Sequence, residues 1–341
     1  MLNINGTLMN EEKEIGVIDK GMLVSYDEKL IPLFLKRTGN IEEWLRMRSA
    51  DSSRTNIRKL KSVIGIEDDI ECVLAVNASA ITDRYWIRFN NEKYEDIRFK
   101  SDEYCNMALK GEDCDYGFVR TPELTNIGSF EKCWKLINNK WWLYKCGSKF
   151  ELFSEMFISR LGEKLGFDMA HYELDGEYIR TLDFTGGKYN FELMRALSDD
   201  NEDYDYSYGV LRNIDKKIAD DYVKMIWLDT ICFNMDRHTE NFGMLRDIDS
   251  GKIIKLAPYF DHNIALISRG YPKNVKRDSD VLIRMFKEFI RNNNLKYNFP
   301  EINEVMIDEC LRETDIDVDY EYVKEFILNG QKIVKLMLSE E

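Results

Sequence analysis

Three oxygen-bearing side chains stand at intervals suited to moving a phosphoryl group. Asp236 and Asn241 lie five positions apart at the end of a helical pattern, and Asp261 follows 20 positions later at the end of a strand pattern. Phosphoryl transfer from a nucleotide needs one carboxylate to orient and deprotonate the attacking hydroxyl. It also needs hard oxygen donors, here an amide oxygen and a second carboxylate, to hold Mg²⁺ on the phosphates. Asp236 suits the first task, and Asn241 with Asp261 the second. A lone Asp at a helix end is usually a cap or a surface charge, so only all three in register point to this chemistry. A rival reading gathers Asp236, His238, Asp261 and His262 into a two-metal hydrolase cluster, although His171 is the only further histidine in the chain.

The elements that would position these residues can be read from periodicity. Residues 218–233 step along a helix through Ile218, Tyr222, Met225, Ile226, Asp229 and Phe233. Strand patterns at 242–245 and 253–256 flank the turn Asp249-Ser250-Gly251-Lys252, an isolated hairpin set among helices. Upstream, 133–137, Asn138-Asn139 and 140–145 read as strand, two-residue turn and strand. A helix over 151–165 stops at Gly166, and short strands at 170–174 and 178–182 precede Gly186-Gly187. Trp141 and Trp142 are expected in the packing rather than as a platform for bases. The first third is mixed, with hairpin patterns at 15–31 and 85–99 and helical patterns over 41–64 broken at Ser52-Ser53. Tyr204, Tyr206 and Tyr208 fall in an acidic stretch, 199–208, expected as an exposed loop. Amphipathic helices are expected at 281–291 and 320–338.

The chain has 341 residues, 44% hydrophobic and 32% charged, which suits two or three domains. With 48 basic and 62 acidic side chains the net charge is -14, which opposes direct binding of nucleic acid. No apolar run approaches the ~20 residues of a membrane span, and the first residues lack the pattern of a signal peptide. The seven cysteines, with no C-x-x-C spacing, are expected as thiols of a cytoplasmic protein.

The residues around the oxygen set carry a resemblance. Asp236-Arg237-His238 with Asn241 resembles the D-R-H-x-x-N string of phosphoinositide-type kinases. The longer string from Asn234 to Phe242, with Leu256-Ala257-Pro258-Tyr259-Phe260-Asp261, resembles the HipA-type serine/threonine kinases, whose pattern is N-x-D-x-H-x-x-N-F followed by L-A-P-x-Y/F-D. Gly128-Ser129-Phe130-Glu131-Lys132 is similar to that family's G-A-Q-D/E-K phosphate loop, and Glu155, eleven positions before Gly166, matches its helix glutamate. The resemblance covers about 120–265; the first third and the last ~70 residues follow it by element type only.

The resemblance implies an α+β, bilobal protein-kinase-like fold with an additional N-terminal α+β region. Residues 1–118 would be regulatory or substrate-docking, 119–187 a small β-rich lobe with the phosphate loop, and 188–341 a helical lobe with the catalytic loop. ATP and Mg²⁺ are the implied cofactors. Asp236 would be the catalytic base, and Asn241 and Asp261 the metal ligands. Lys145 would reach the phosphates and pair with Glu155. Ile127, Gly128, Ser129, Phe130 and Lys132 would cover the phosphates, Leu182 would lie by the adenine connector near 180–184, and His238 would flank the nucleotide. The family silences itself by phosphorylating a phosphate-loop hydroxyl; Thr125 matches that position and Ser129 replaces the loop alanine. A protein substrate and a small antitoxin-like partner are implied. The single glycine of the loop, where eukaryotic kinases have three, keeps a non-catalytic pseudokinase as an alternative, and the D-R-H string leaves a lipid or small-molecule acceptor open.

Overall fold

The computed structural model describes residues 3–114 and 118–339. Strands β1 (Gly6–Asn10), β2 (Lys13–Asp19) and β3 (Met22–Tyr26) open the chain, followed by helices α1 (Leu33–Thr38), α2 (Ile41–Arg46), α3 (Thr55–Ile64) and α4 (Asp69–Ala75). Next come β4 (Tyr85–Arg88), α5 (Tyr94–Ile97), α6 (Cys105–Lys110) and a 3₁₀ turn at Pro122–Thr125. The middle of the chain holds β5 (Lys132–Ile137), β6 (Lys140–Lys145), α7 (Lys149–Lys164), β7 (Tyr172–Asp175), β8 (Tyr178–Leu182) and β9 (Tyr189–Leu193). The remainder is α8 (Arg195–Ser198), α9 (Tyr204–Ile214), α10 (Lys216–Ile231), β10 (Gly243–Asp247), β11 (Ile253–Leu256), α11 (Val281–Asn292), α12 (Glu304–Thr314) and α13 (Tyr320–Ser339).

Two compact units share the chain. One comprises Met1–Cys146, Leu174–Glu192 and Met244–Ile254; the other comprises Gly147–Glu173, Leu193–Gly243 and Lys255–Glu341. The sheets run β3-β2-β1-β4, β5-β6-β8-β7 and β11-β10-β9.

Local chemistry explains most elements. The β5–β6 hairpin closes on Asn138 and Asn139 at φ of 50° and 59°, the left-handed pair a two-residue turn requires. Helix α7 starts on a reciprocal cap, in which the Ser148 hydroxyl accepts from the Glu151 N–H and the Glu151 carboxylate accepts from the Ser148 N–H. Tertiary pairing overrides local pattern elsewhere. The second half of the expected 85–99 hairpin is the short helix α5, where Asp96 accepts the Lys93 N–H at 3.1 Å, and β4 pairs instead with β1, Leu8 opposite Ile87. The β10–β11 hairpin is not isolated but is joined by β9. Tyr204, Tyr206 and Tyr208 are not in a loop: Asp203 caps α9 beneath them, and Tyr204 and Tyr208 pack edge-on against Phe289. Cys105 and Cys133, expected as thiols, form a disulfide where α6 lies on β5, with Cα atoms 5.0 Å apart.

The first unit's core crosses from the N-terminal helices into the hairpin. Ile57, Leu60, Val76 and Met107 pack with Leu124 and Trp134, and Trp141 and Leu143 lie against that cluster. A buried polar knot sits in the same unit. The Arg246 guanidinium pairs with Glu192 and donates to Tyr85 Oη at 3.0 Å, Ile31 O at 3.0 Å and Lys29 O at 2.7 Å. Glu192 also accepts from the Tyr85 hydroxyl at 2.9 Å and the Leu33 N–H at 2.6 Å. Removing one member leaves a buried charge without its partner, so Arg246→Ala should lower the unfolding free energy by about 3–5 kcal/mol. Arg246→Ala with Glu192→Ala should cost clearly less than the two single losses added, and urea titration of the double-mutant cycle measures that coupling.

Candidate active site

The second unit places the oxygen set, beginning with the C-terminus of α10. Buried Arg277 donates to the buried helix-end carbonyls of Thr230 and Ile231 at 2.8 and 2.9 Å, and its charge stacks over Phe326 at 4.4 Å. Phe233 then turns the chain at φ 56°. Beyond it the loop is organised by one ion pair, Arg237 with Asp229 of α10, whose side chains are 1% and 2% exposed. Arg237 Nε donates to Asp229 Oδ2 at 2.7 Å and Nη2 to Oδ1 at 3.1 Å, a two-pronged contact. Asn234 Nδ2 donates to the same carboxylate at 2.7 Å, and Asn234 Oδ1 accepts the Asp236 N–H at 3.2 Å.

The free edge of the guanidinium sets the two candidate metal ligands. Arg237 Nη1 donates to the Asn241 carbonyl and, at 2.9 Å, to the Phe260 carbonyl immediately before Asp261. The segment carrying Asp261 is also pinned from behind. The Tyr259 N–H donates to Asp168 O at 2.8 Å, the Ala170 N–H to Tyr259 O at 2.9 Å, and the Tyr259 hydroxyl to Asp221 O at 2.7 Å. Asp261 itself adopts φ 64°, a left-handed backbone that Asp tolerates better than most residues. Asn241 Nδ2 donates to Asp236 O at 2.7 Å and reaches Asp236 Oδ2 at 3.3 Å, so the amide oxygen is the end left to act as an acceptor.

Charge around Asp236 fits a base. Its carboxyl is partly buried, and burial raises its pKa, opposed by nearby His238 and helped by the negative charge of Asp261. His238 Nε2 stands 4.0 Å from Asp236 Oδ2. His262 does something different. It is fully buried, its Nε2 accepts from Arg237 Nη2 at 3.0 Å, and burial together with that cation pushes its pKa down to about 4. Its backbone N–H donates to Glu155 Oε1 at 3.1 Å, and Glu155 is 0% exposed on α7. His262 thus gives Nε2 to Arg237, while its buried Nδ1 meets no hydrogen-bond partner among the described residues. Among the described residues, no three His, Cys, Asp or Glu side chains gather as the two-metal hydrolase reading requires.

The first unit holds the other expected residues. Gly128 and Ser129 are exposed at the loop tip, with Gly128 at φ 101° and Ile127, Phe130 and Lys132 half-buried around it. Thr125 is 7% exposed, and its hydroxyl donates inward to Ser79 O at 2.8 Å. Of the two hydroxyls expected to be modified, Ser129 is the one presented to solvent. Lys145 is 5% exposed at the end of β6, opposite Lys132. Leu182, exposed at the end of β8, pairs with Trp142. The chain passes from the first unit to the second after Cys146, Glu192 and Ile254. Sequence reasoning passed over Asp229 as an anchor, although a carboxylate on the apolar stripe of α10 was the available signal.

No protein-family model and no curated protein matches the sequence. Among solved structures, the chain is similar to Shewanella oneidensis HipA in its complex with HipB and operator DNA. The TM-score is 0.59 at 12% identity, over 98% of this chain and 100% of that one. The Helicobacter pylori proinflammatory kinase CtkA aligns over 61% of this chain and 93% of its own, at 18% identity and a TM-score of 0.45. The fold is α+β and similar to that of HipA.

Two measurements check this geometry. Asp229→Asn keeps the shape but removes the charge facing Arg237, and should cost about 3–5 kcal/mol in urea unfolding. A loss below about 1 kcal/mol would show that Arg237 does not depend on it. The second concerns Glu123, buried at the base of the phosphate loop, where burial pushes its carboxyl up to about 7 against hydrogen bonds from Asn126 and the Trp134 N–H. The protonated carboxyl is favoured in the folded chain, so this group's stabilisation is complete below its unfolded pKa of about 4.5 and is lost as pH rises through 7. On the order of 3 kcal/mol should disappear across that window in the wild type, and Glu123→Gln should flatten the dependence.

Proposed function

We propose that the chain is an ATP- and Mg²⁺-dependent serine/threonine kinase of the HipA-like type, transferring the γ-phosphoryl group to a protein hydroxyl. The observation that carries this reading is the single buried guanidinium that fixes the Asn241 carbonyl and the carbonyl preceding Asp261 at once. Two oxygen-donor residues are thereby held in one register, beside a carboxylate with a raised pKa. Asn241 and Asp261 are the residues that would hold Mg²⁺, and the hard-oxygen chemistry of the pair fits that ion. When bound, the ion supplies neutralisation of phosphate charge.

Asp236 orients the acceptor hydroxyl and takes its proton, and His238 tempers the carboxylate's basicity. The resemblance assigns Lys145 to the nucleotide phosphates, with Glu155 as its partner, and the backbone amides of Ile127, Gly128, Ser129 and Phe130 to covering them, with Lys132 beside. The adenine is assigned to the segment near 180–184, with Leu182 beside it. Inhibitory autophosphorylation falls on Ser129 in this conformation, and on Thr125 only after its bonds to Ser79 and Pro122 are released. Residues 1–118 are assigned a regulatory or docking role ahead of a small lobe at 119–187 and a helical lobe at 188–341. A small antitoxin-like protein is the proposed partner, by analogy with the HipB in the Shewanella complex. With a net charge of -14 this chain itself is not expected to grip DNA. No helix among the described residues is long and apolar enough to cross a membrane, and a cytoplasmic site of action is proposed.

The test is transfer from γ-labelled ATP to protein hydroxyls in a lysate of the source cell, run beside Asp236→Ala. Wild type should label protein and the variant should be slower by about 10²–10⁴-fold. Both should still gain thermal stability from Mg-ATP. Equal labelling by the two proteins overturns the kinase assignment; nucleotide stabilisation with no transfer by either favours the pseudokinase.

A further inference from the structure

The N-terminal region reaches the phosphate loop through one side chain. Arg54, at the N-terminus of α3, is 2% exposed, yet its guanidinium is not spent within its own helix. Nη1 donates to Asn126 O at 2.8 Å and Nη2 to Lys132 O at 2.7 Å. These carbonyls are the two ends of the loop 127–131, so one rigid fork closes its base. The loop answers from its own side: Glu131 Oε1 accepts the Asn56 N–H in the first turn of α3 at 3.0 Å, and its Oε2 lies 3.5 Å from Arg54 Nε. That last approach is an ion pair without an aligned hydrogen bond.

The platform behind the fork is itself fixed. Ile57 and Leu60 of α3 share a buried cluster with Leu124 and Trp134, which flank the loop. The Ala50 N–H donates to Leu124 O at 3.0 Å, and the Thr125 hydroxyl donates to Ser79 O at 2.8 Å. A planar guanidinium presents two parallel donors at a fixed spacing, which an ammonium does not.

We infer that Arg54 is a positioning residue for nucleotide binding, by which residues 1–118 hold the ends of the phosphate loop at a fixed separation. This rests on the kinase reading above, because the loop's task is to meet nucleotide phosphates. Arg54 touches no reacting atom; it acts through the backbone of 127–131. Anything that displaces α3 therefore loosens the loop.

Amide hydrogen exchange of the nucleotide-free full chain reads the clamp directly, and steady-state kinetics read its consequence. Arg54→Ala should speed exchange at 127–131 by about tenfold while α10 and α13 keep their wild-type protection. The KM for Mg-ATP should rise about tenfold with kcat within about threefold of wild type, since the catalytic loop is untouched. Arg54→Lys, more conservative in folding, should give an intermediate shift in both readouts. Uniformly faster exchange with equal losses in KM and kcat would reveal a merely structural role and overturn the inference. Wild-type loop exchange in a folded Arg54→Ala or Arg54→Lys chain, with the wild-type enzyme binding Mg-ATP normally, overturns the clamp alone. A wild-type chain that binds no Mg-ATP overturns the kinase reading and this inference with it.

Discussion

A salt bridge sealed from water governs the candidate active site. Taking Arg237 and Asp229 out of solvent costs several kcal/mol per ion, and their attraction offsets this only if the remaining donors are also used. They are: all three guanidinium nitrogens are engaged by Asp229, the Asn241 and Phe260 carbonyls and the His262 ring. The pair is a poor device for stability alone, since apolar residues would fill the volume as well. Its use is orientation. One rigid planar group touches the segments bearing Asp236, Asn241 and Asp261, so their spacing is set by covalent geometry rather than by three independent side-chain rotamers.

The N-terminal region is bound to β9 and β10 by similar physics on a larger scale. Arg246 and Glu192, far apart in sequence and drawn from different strands, meet beside Tyr85 in a knot whose other bonds go to backbone carbonyls and an amide near 29–33. Glu192 is also the last residue of one of the three segments that make up the first unit. Helix α3 holds the base of the loop assigned to phosphates, while this knot holds β9 and β10.

Features fixed by neighbours in sequence were legible. The Asn138-Asn139 turn, the helix ending before Gly166 and the Asp236–Asn241 interval are written in a few adjacent residues, and the HipA-type fold could be inferred from the strings they belong to. What was not legible depends on partners distant along the chain. The strand at 85–88 pairs with β1, so its sequence neighbours at 94–97 are free to coil into a helix capped by Asp96. Tyr204 and Tyr208 look like an acidic loop until Phe289 supplies the surface that makes them a helix face. Arg54 carries no local signal at all, because its partners are main-chain oxygens at 126 and 132. Asp229 lay in view on the stripe of α10, but only its contact with Arg237 separates an anchor from an ordinary helix carboxylate.

The backbone at Asp261 narrows what can occupy that position. At φ 64° a β-branched or bulky side chain would crowd the adjoining carbonyl, leaving Asp, Asn and Gly as the comfortable occupants. Of these, Asn abolishes the negative charge while preserving the turn, and Gly deletes the side chain while relaxing it. Mutational drift away from the role proposed for Asp261 is therefore channelled through two substitutions that spare the surrounding architecture, so a chain could lose that carboxylate and still fold.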